Sequence, residues 1–267
     1  KIFTPNFLIT NVHELEFTFT SYKMNNNSKI LTKSNIFICV NGVVAENLTK
    51  KYFIDKTKIK IIPALNSLYF TKSKKNILKN ELKKTDAFII GASGTVEWRK
   101  GADLFIQLAL IYKNKYGLDN EKFVWTGKFP NELEKYKIEL DIKNAGLENN
   151  VIFTGHITNV NEYYSNFDVF TLCSREEALG LVCIENMALG NPVICFEKCG
   201  GMEEVADKGA AIKVPYLNLE KMADEIIKLK ENNDKYKNLS SKSINFVKQE
   251  YNIDKIGKKY LQIFDNV

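Results

Sequence analysis

From Ala87 onward the sequence alternates short, almost continuously apolar runs with stretches of helical period, a pattern met by a parallel sheet wound with helices on both faces. The runs are Ala87 to Ile90, Phe123 to Thr126, Val151 to Thr154, Asp168 to Leu172, Pro192 to Phe196 and Ala211 to Val214. They lack the alternation of half-exposed strands, as expected where helices cover both sides. Between them, Ala102 to Tyr116, Asn131 to Ala145, Leu181 to Leu189 and Leu219 to Glu231 place apolar residues at helical spacing. A complete Rossmann-like domain is therefore expected over residues 87–250.

The preceding residues read as part of a second lobe of the same kind. Phe7 to Thr10 is strand-like, Asn35 to Val40 a strand, Val43 to Tyr52 a helix and Ile59 to Pro63 a further strand. Residues 1–63 are thus expected to be the remnant of a larger lobe, since the chain opens on Lys1 and runs almost at once into a strand. Residues 64–86, rich in Lys, Ser and Asn, are the expected linker. Residues 251–267 form a helical tail, with Tyr251 to Phe264 as its helix.

With 267 residues and 45% hydrophobic content, the chain is long enough for one complete domain and part of another. It has no run of 18 apolar residues and no secretory leader, so a soluble, cytoplasmic protein is expected. Cys39, Cys173, Cys183, Cys195 and Cys199 lie mostly in apolar runs, and their odd number without a CxxC spacing points to reduced core residues. Two histidines exclude a His-rich metal centre. Residues 1–100 carry 17 Lys or Arg against 7 acids, and residues 101–267 carry 21 against 25. A basic first third suits either plain solvation or the anionic inner face of a membrane, with Lys72, Lys74, Lys75, Lys79, Lys83 and Lys84 as its contacts. Nucleic acid is not an expected partner.

The richest stretch in chemistry runs from Ser174 to Ile194. A strand gives way to a polar loop, the loop tightens at Gly180, a helix runs to Gly190, and Asn191-Pro192 ends it. The helix thus opens at the carboxyl end of a parallel strand. There, unpaired amides at Gly180 and Leu181 and the positive end of the helix dipole suit a diphosphate. Glu177 in the loop and Glu185 about one turn inside the helix can address different parts of one extended ligand, and a carboxylate can hold the hydroxyls of a ribose. By position alone, both also read as surface acids favoured by the dipole.

Glu177 and Glu185, eight positions apart around Ala178-Leu179-Gly180-Leu181-Val182, resemble the EX7E motif of retaining family 4 (group 1) glycosyltransferases. Gly180 and Leu181 match the usual Glu-Gly-Phe-Gly-Leu pattern, whereas Ala178 and Leu179 depart from it. Gly91-Ala92-Ser93-Gly94 and Trp98-Arg99-Lys100-Gly101-Ala102-Asp103 are similar to the family's glycine-rich loop and Lys-Gly-x-Asp segment. Phe153-Thr154-Gly155 and the segment from Tyr163 to Val169 resemble the stretch beside the nucleotide base. Gly200-Gly201-Met202-Glu203-Glu204 resembles its GGxxE segment, with Glu203 where proline is common. Val12-His13-Glu14 is similar to the histidine-bearing strand end of the acceptor lobe, and Ile61-Ile62-Pro63 to the exit toward the linker. Thr95 stands where the family often has arginine, and Arg99 is a substitute at a different spacing.

The resemblance implies a GT-B fold: an α/β donor lobe, whole here, and a partial second Rossmann-like lobe. It implies hexosyl transfer, with retention, from a UDP-sugar or GDP-sugar to a glycan or lipid-linked hydroxyl in surface polysaccharide or glycolipid synthesis, without a metal or other cofactor. Lys100, Arg99, Glu177 and His13 would be catalytic. Gly94, Thr95, Leu179, Gly180, Leu181, Glu185 and His156 would bind the donor, with His156 also readable as a plain loop residue. Two rivals share the architecture: a nucleotide-sugar binding module without turnover, and a nucleotide-sugar epimerase. A two-carboxylate glycosidase fits poorly, because its acids face each other across a sugar.

Overall fold

The computed structural model describes residues 7–21, 27–64, 72–73, 77–81 and 86–265. The first lobe comprises β1 (Ile9–Val12), α1 (Glu16–Ser21), α2 (Asn27–Lys33), β2 (Ile36–Cys39), α3 (Gly42–Tyr52) and β3 (Ile59–Ile61). Its strands form a parallel sheet in the order β1-β2-β3, with Ile9 opposite Ile36 and Phe37 opposite Ile59. Next comes α4 (Ile77–Glu81), within the expected linker; its Leu78 is buried in the core, and Glu81 accepts from the Tyr163 hydroxyl at 3.1 Å. Lys74, Lys75, Lys83 and Lys84 lie outside the described residues.

The second lobe continues as β4 (Phe88–Ser93), α5 (Ala102–Tyr116), β5 (Glu121–Thr126), α6 (Glu132–Asn144), β6 (Val151–Phe153), α7 (Val160–Tyr164) and β7 (Val169–Leu172). After these come α8 (Leu181–Ala188), β8 (Val193–Phe196), α9 (Gly201–Asp207), β9 (Ile212–Val214), α10 (Leu219–Glu231), α11 (Asn233–Glu250) and α12 (Ile253–Phe264). Six parallel strands stand in the order β6-β5-β4-β7-β8-β9. The chain lays strands to one side of β4, then crosses over and builds outward through β7. Asp168 fastens that crossing: its amide donates to Ile89 O at 2.9 Å and its carboxylate accepts from Ile89 N at 2.8 Å.

The sheet's core is aromatic. Phe105 from α5 stands edge-on to Phe123 and Trp125 of β5 at 5.6 and 5.5 Å, and Trp125 stacks on Phe153 at 5.7 Å. Phe105 is fully buried, and burial of such a ring stabilises by about 3 kcal/mol. Buried residues of both lobes form one contiguous cluster, in which Phe37, Val44 and Leu48 of the first join Phe170 and Met202 of the second. The end of the chain returns to the first lobe, where Ile256 and Ile263 of α12 pack on Ile38 and Ile62.

Two kinds of helix start stand out. Asn41, Asn131, Asn218, Asn232 and Asn252 head α3, α6, α10, α11 and α12, each side chain accepting an amide of the first turn. Such a cap contributes about 1 kcal/mol relative to alanine. By contrast, α5, α8 and α9 begin with Gly101, Gly180 and Gly200, which have no side chain to place over the amides. The helix α11 is not among the expected ones: its fully buried residues are Leu239, Ser243 and Val247, with Tyr236 and Phe246 half-buried against the core. The Ser243 hydroxyl is buried, donating within the shell formed by Ala210 O at 2.7 Å and Leu239 O at 2.8 Å.

Candidate active site

In an open parallel sheet, the crevice outside the carboxyl ends of two strands whose connections run in opposite directions is the natural ligand site. Here those strands are β4 and β7. The loop after β4 carries Gly94, Thr95 and a tight turn at Trp98–Lys100, and the loop after β7 carries Glu177 and Gly180.

Each loop is held by specific bonds. Gly94 N donates to Thr126 O at 3.0 Å, and the indole of buried Trp125 donates to Gly94 O at 2.8 Å. The Lys100 stem lies across Gly94, where a β-carbon would stand 3.4 Å from two of its methylenes. The Lys100 ammonium pairs with the Glu177 carboxylate, both side chains being mostly shielded from solvent. Glu177 N donates to Cys199 O at 2.6 Å and Glu177 O accepts from Gly201 N at 3.2 Å. That approach requires glycine at position 200: at φ 126° a β-carbon there would stand 1.8 Å from Glu177 O.

Gly94, Lys100, Glu177 and Gly180 therefore meet at one point, with a Gly180 β-carbon position 3.4 Å from Glu177 Cγ. Amides in the first turn of a helix lack an intrahelical acceptor, and Gly180 leaves those of α8 without a side-chain cap. Glu185 lies on α8 within electrostatic reach of Tyr164, whose hydroxyl is 2.6 Å from Ser93 Oγ. Burial raises the Tyr164 phenol to about 12, with the charge of Glu185 adding to the effect.

The other expected residues are placed differently. Arg99 turns toward the first lobe: its guanidinium donates to Glu176 O at 3.2 Å, lies 3.2 Å from Glu97 and stands 5.8 Å from the Phe17 ring centroid. Leu179 is buried against the first lobe, in a cavity it shares with Asn41 and Pro63, and Leu181 is exposed at the head of α8. Thr95 is half-buried beside Gly94. His156 is exposed just after Gly155, whose carbonyl accepts from Gly127 N at 3.0 Å next to Gly94. His13 is exposed between β1 and α1, and among the described residues no hydrogen bond or ion pair joins it to Lys100 or Glu177. All five cysteines are buried and free, and burial pushes the Cys39 and Cys173 thiols up to about 12, which disfavours the nucleophilic thiolate.

Acids of the second lobe also reach the first. Glu176 accepts from Phe17 N at 2.8 Å at the head of α1, and burial raises its carboxyl above the usual range. Glu204 accepts from Val43 N at 2.8 Å at the head of α3. Asn41, besides capping α3 through Val44 N at 3.0 Å, donates to Ala178 O. An asparagine before Gly-Val-Val announces a helix start, but nothing in that spacing indicates its bond to the Glu177 loop.

The family described as glycosyl transferases group 1 matches the chain over residues 73–246. The chain belongs to that family. Among curated relatives, an uncharacterized glycosyltransferase of Haemophilus influenzae is 30% identical over 183 residues, which is 68% of this chain and 50% of that protein. The poly(ribitol-phosphate) alpha-N-acetylglucosaminyltransferase of Staphylococcus aureus is 28% identical over 180 residues, 67% of this chain and 35% of its own. This group 1 chain thus spans half or less of these curated relatives. Among solved structures, Anabaena HepE in complex with UDP and glucose superposes with a TM-score of 0.87 at 17% identity, over 98% of this chain and 72% of that one. The fold is accordingly of the GT-B type, with two Rossmann-like lobes, the first of them partial.

Proposed function

We propose that this group 1 chain carries the donor site of an enzyme that moves a hexosyl residue from a nucleoside diphosphate to an acceptor hydroxyl with retention at the anomeric carbon. The observation that carries this reading is the convergence of Lys100, Glu177, Gly94 and the uncapped head of α8 at the reversal of strand order. The bond from the anomeric carbon to the diphosphate breaks, the bond to the acceptor oxygen forms, and the acceptor's proton passes to the departing phosphate oxygen. Negative charge grows on the diphosphate during that exchange. The Lys100 ammonium and the amides at the head of α8 stabilise it, and they do so best when already aimed at it.

Glu177 would then exchange part of its bond with Lys100 for hydroxyls of the transferred sugar, and Glu185 would hold the ribose. Thr95, Leu181 and His156 would contact the donor, and His13 would serve from the acceptor side. Leu179 would act indirectly, by seating the Glu177 loop on the first lobe. A uridine nucleotide is the first donor to try, since HepE was solved with UDP and glucose. Glycan and lipid-linked acceptors are favoured by the relatives, among them a lipopolysaccharide core mannosyltransferase of Rhizobium meliloti.

The deciding experiment incubates the protein with UDP-sugars and GDP-sugars, with and without acceptor glycans. Acceptor-dependent release of nucleoside diphosphate is the expected result. No release with any acceptor would leave a binding module, and isomerised donor sugar would mean an epimerase.

Glu185→Gln should weaken nucleotide binding about tenfold or more in calorimetry, the scale of losing one charge-assisted hydrogen bond. Unchanged affinity would remove Glu185 from the site. Peripheral membrane contact would rest on the basic first third, with Lys72 exposed and Lys79 half-buried among its described members. Each lysine near an anionic surface contributes about 1 kcal/mol. Sedimentation with anionic and neutral vesicles at low salt should show preference for the former, and equal binding would end the idea.

A further inference from the structure

We infer that Arg175 is a positioning residue for Lys100, holding the two loops of the site in register. The inference rests on the transferase reading above. Arg175 lies two residues before Glu177, and its side chain leaves that loop to grip the other one. Its guanidinium forms a two-pronged pair with Asp103, Nη1 to Oδ1 at 2.9 Å and Nη2 to Oδ2 at 2.8 Å. Nη1 also donates to Trp98 O at 2.5 Å, and the guanidinium carbon stands 4.5 Å from the Trp98 ring centroid. The backbone adds a further link, Arg175 N to Arg99 O at 2.8 Å.

The points gripped, Trp98 and Asp103, lie on either side of Lys100 in sequence, so one side chain straddles the lysine without touching it. The Arg175 side chain is 12% exposed and that of Asp103 36%, so the guanidinium is held largely out of water while the carboxylate stays partly wet. Arginine is required for the geometry: its planar fork matches both carboxylate oxygens and stacks on an indole, which a lysine ammonium cannot do. Because the same residue continues directly into Glu176 and Glu177, any movement of the Glu177 loop is transmitted to the turn that carries Lys100. An error of about 1 Å between catalytic groups can cost on the order of a hundredfold in rate, so this coupling bears on turnover.

Arg175 also lines a cleft of about 450 Å³ together with Lys50, Glu176 and Lys198, so a direct grip on the acceptor is the competing role. Steady-state kinetics separates the two. In the intact enzyme, Arg175→Lys should lower kcat about tenfold or more while the KM values for donor and acceptor change less than about twofold. Asp103→Asn should do the same, and the double variant should be little worse than either, because the two act as a unit.

Emission supplies a readout independent of turnover. Trp98 is 60% exposed and Trp125 1% exposed, and they are the chain's two tryptophans. Arg175→Lys should shift the emission of the chain, and the shift should vanish in a Trp98→Phe background. An undiminished kcat, a rise confined to acceptor KM, additive effects with Asp103→Asn, or unaltered Trp98 emission would each overturn the positioning role. Absence of turnover in the wild type with every donor and acceptor would instead bring down the transferase reading, and this inference with it.

Discussion

Replacing Lys100 by alanine is expected to cut turnover by about a hundredfold or more, the scale seen when one stabiliser of developing charge is removed. Donor affinity should fall less. An ammonium that meets growing charge on the diphosphate lowers the barrier more than it tightens the ground state. A second consequence follows from the pair described above, in which Glu177 is buried at 9% exposure with Lys100 as its ionic partner. Lys100→Ala leaves that carboxylate shielded and unpaired, which is costly in itself. Glu177→Gln in the same chain should recover stability without recovering turnover, so thermal denaturation alongside kinetics separates the two effects. Arg99→Ala should cost far less, because its guanidinium is engaged by Glu97, Glu176 O and the Phe17 ring. Normal turnover in Lys100→Ala, or an equal loss in Arg99→Ala, would reassign the charge that stabilises the leaving group.

A larger effect on stability is expected from Gly101→Ala. Gly101 closes the turn that carries Lys100, at φ 77°, and a β-carbon there would stand 2.0 Å from Cys173 O. The left-handed backbone alone costs an alanine about 1–2 kcal/mol. The contact adds more, because Cys173 directly follows β7 and its carbonyl cannot withdraw without distorting the sheet. A loss of about 3 kcal/mol or more is expected, a fall in Tm of roughly 6–12 °C for a chain of this size. Gly209→Ala is the control. It has a similar φ of 74° with nothing within 4 Å, so it should show the backbone cost alone. Equal losses at the two positions would mean that the approach to Cys173 does not matter.

Much of this architecture is legible in the sequence because buried parallel strands must be apolar on both faces, and helices between them must show a helical stripe. Ala102 to Tyr116 and Leu219 to Glu231 were expected as helices and end where expected. The α11 helix escaped because its inward stripe is interrupted by the buried Ser243 and its large apolar residues, Tyr236 and Phe246, are only half-buried. At the site, Lys100, Glu177, Gly94 and Gly180 stand in short motifs whose spacing survives in a lone sequence, and the fold brings them together. The grip of Arg175 on Asp103 and the reach of Glu204 to Val43 join residues 72 and 161 positions apart. No periodicity links positions so distant. Arg99 shows the converse: adjacent to Lys100 in sequence, it faces the other lobe, because the tight turn at Trp98–Lys100 sends neighbouring side chains in different directions.

The carboxylates of Glu176 and Glu204, which head α1 and α3 from across the cleft, bear on how chains of this family can be recombined. A first lobe grafted onto the second lobe of a relative would lose a carboxylate at the head of both helices, α3 keeping its own Asn41 cap, unless the incoming loops carried acids at those two positions. Asn41 would likewise face a foreign backbone in place of Ala178 O. The natural cutting points for a chimera therefore do not coincide with the visible gap between lobes. A working exchange has to move Asn41, Glu176 and Glu204 as one inherited set, two of them on one side of the seam and one on the other.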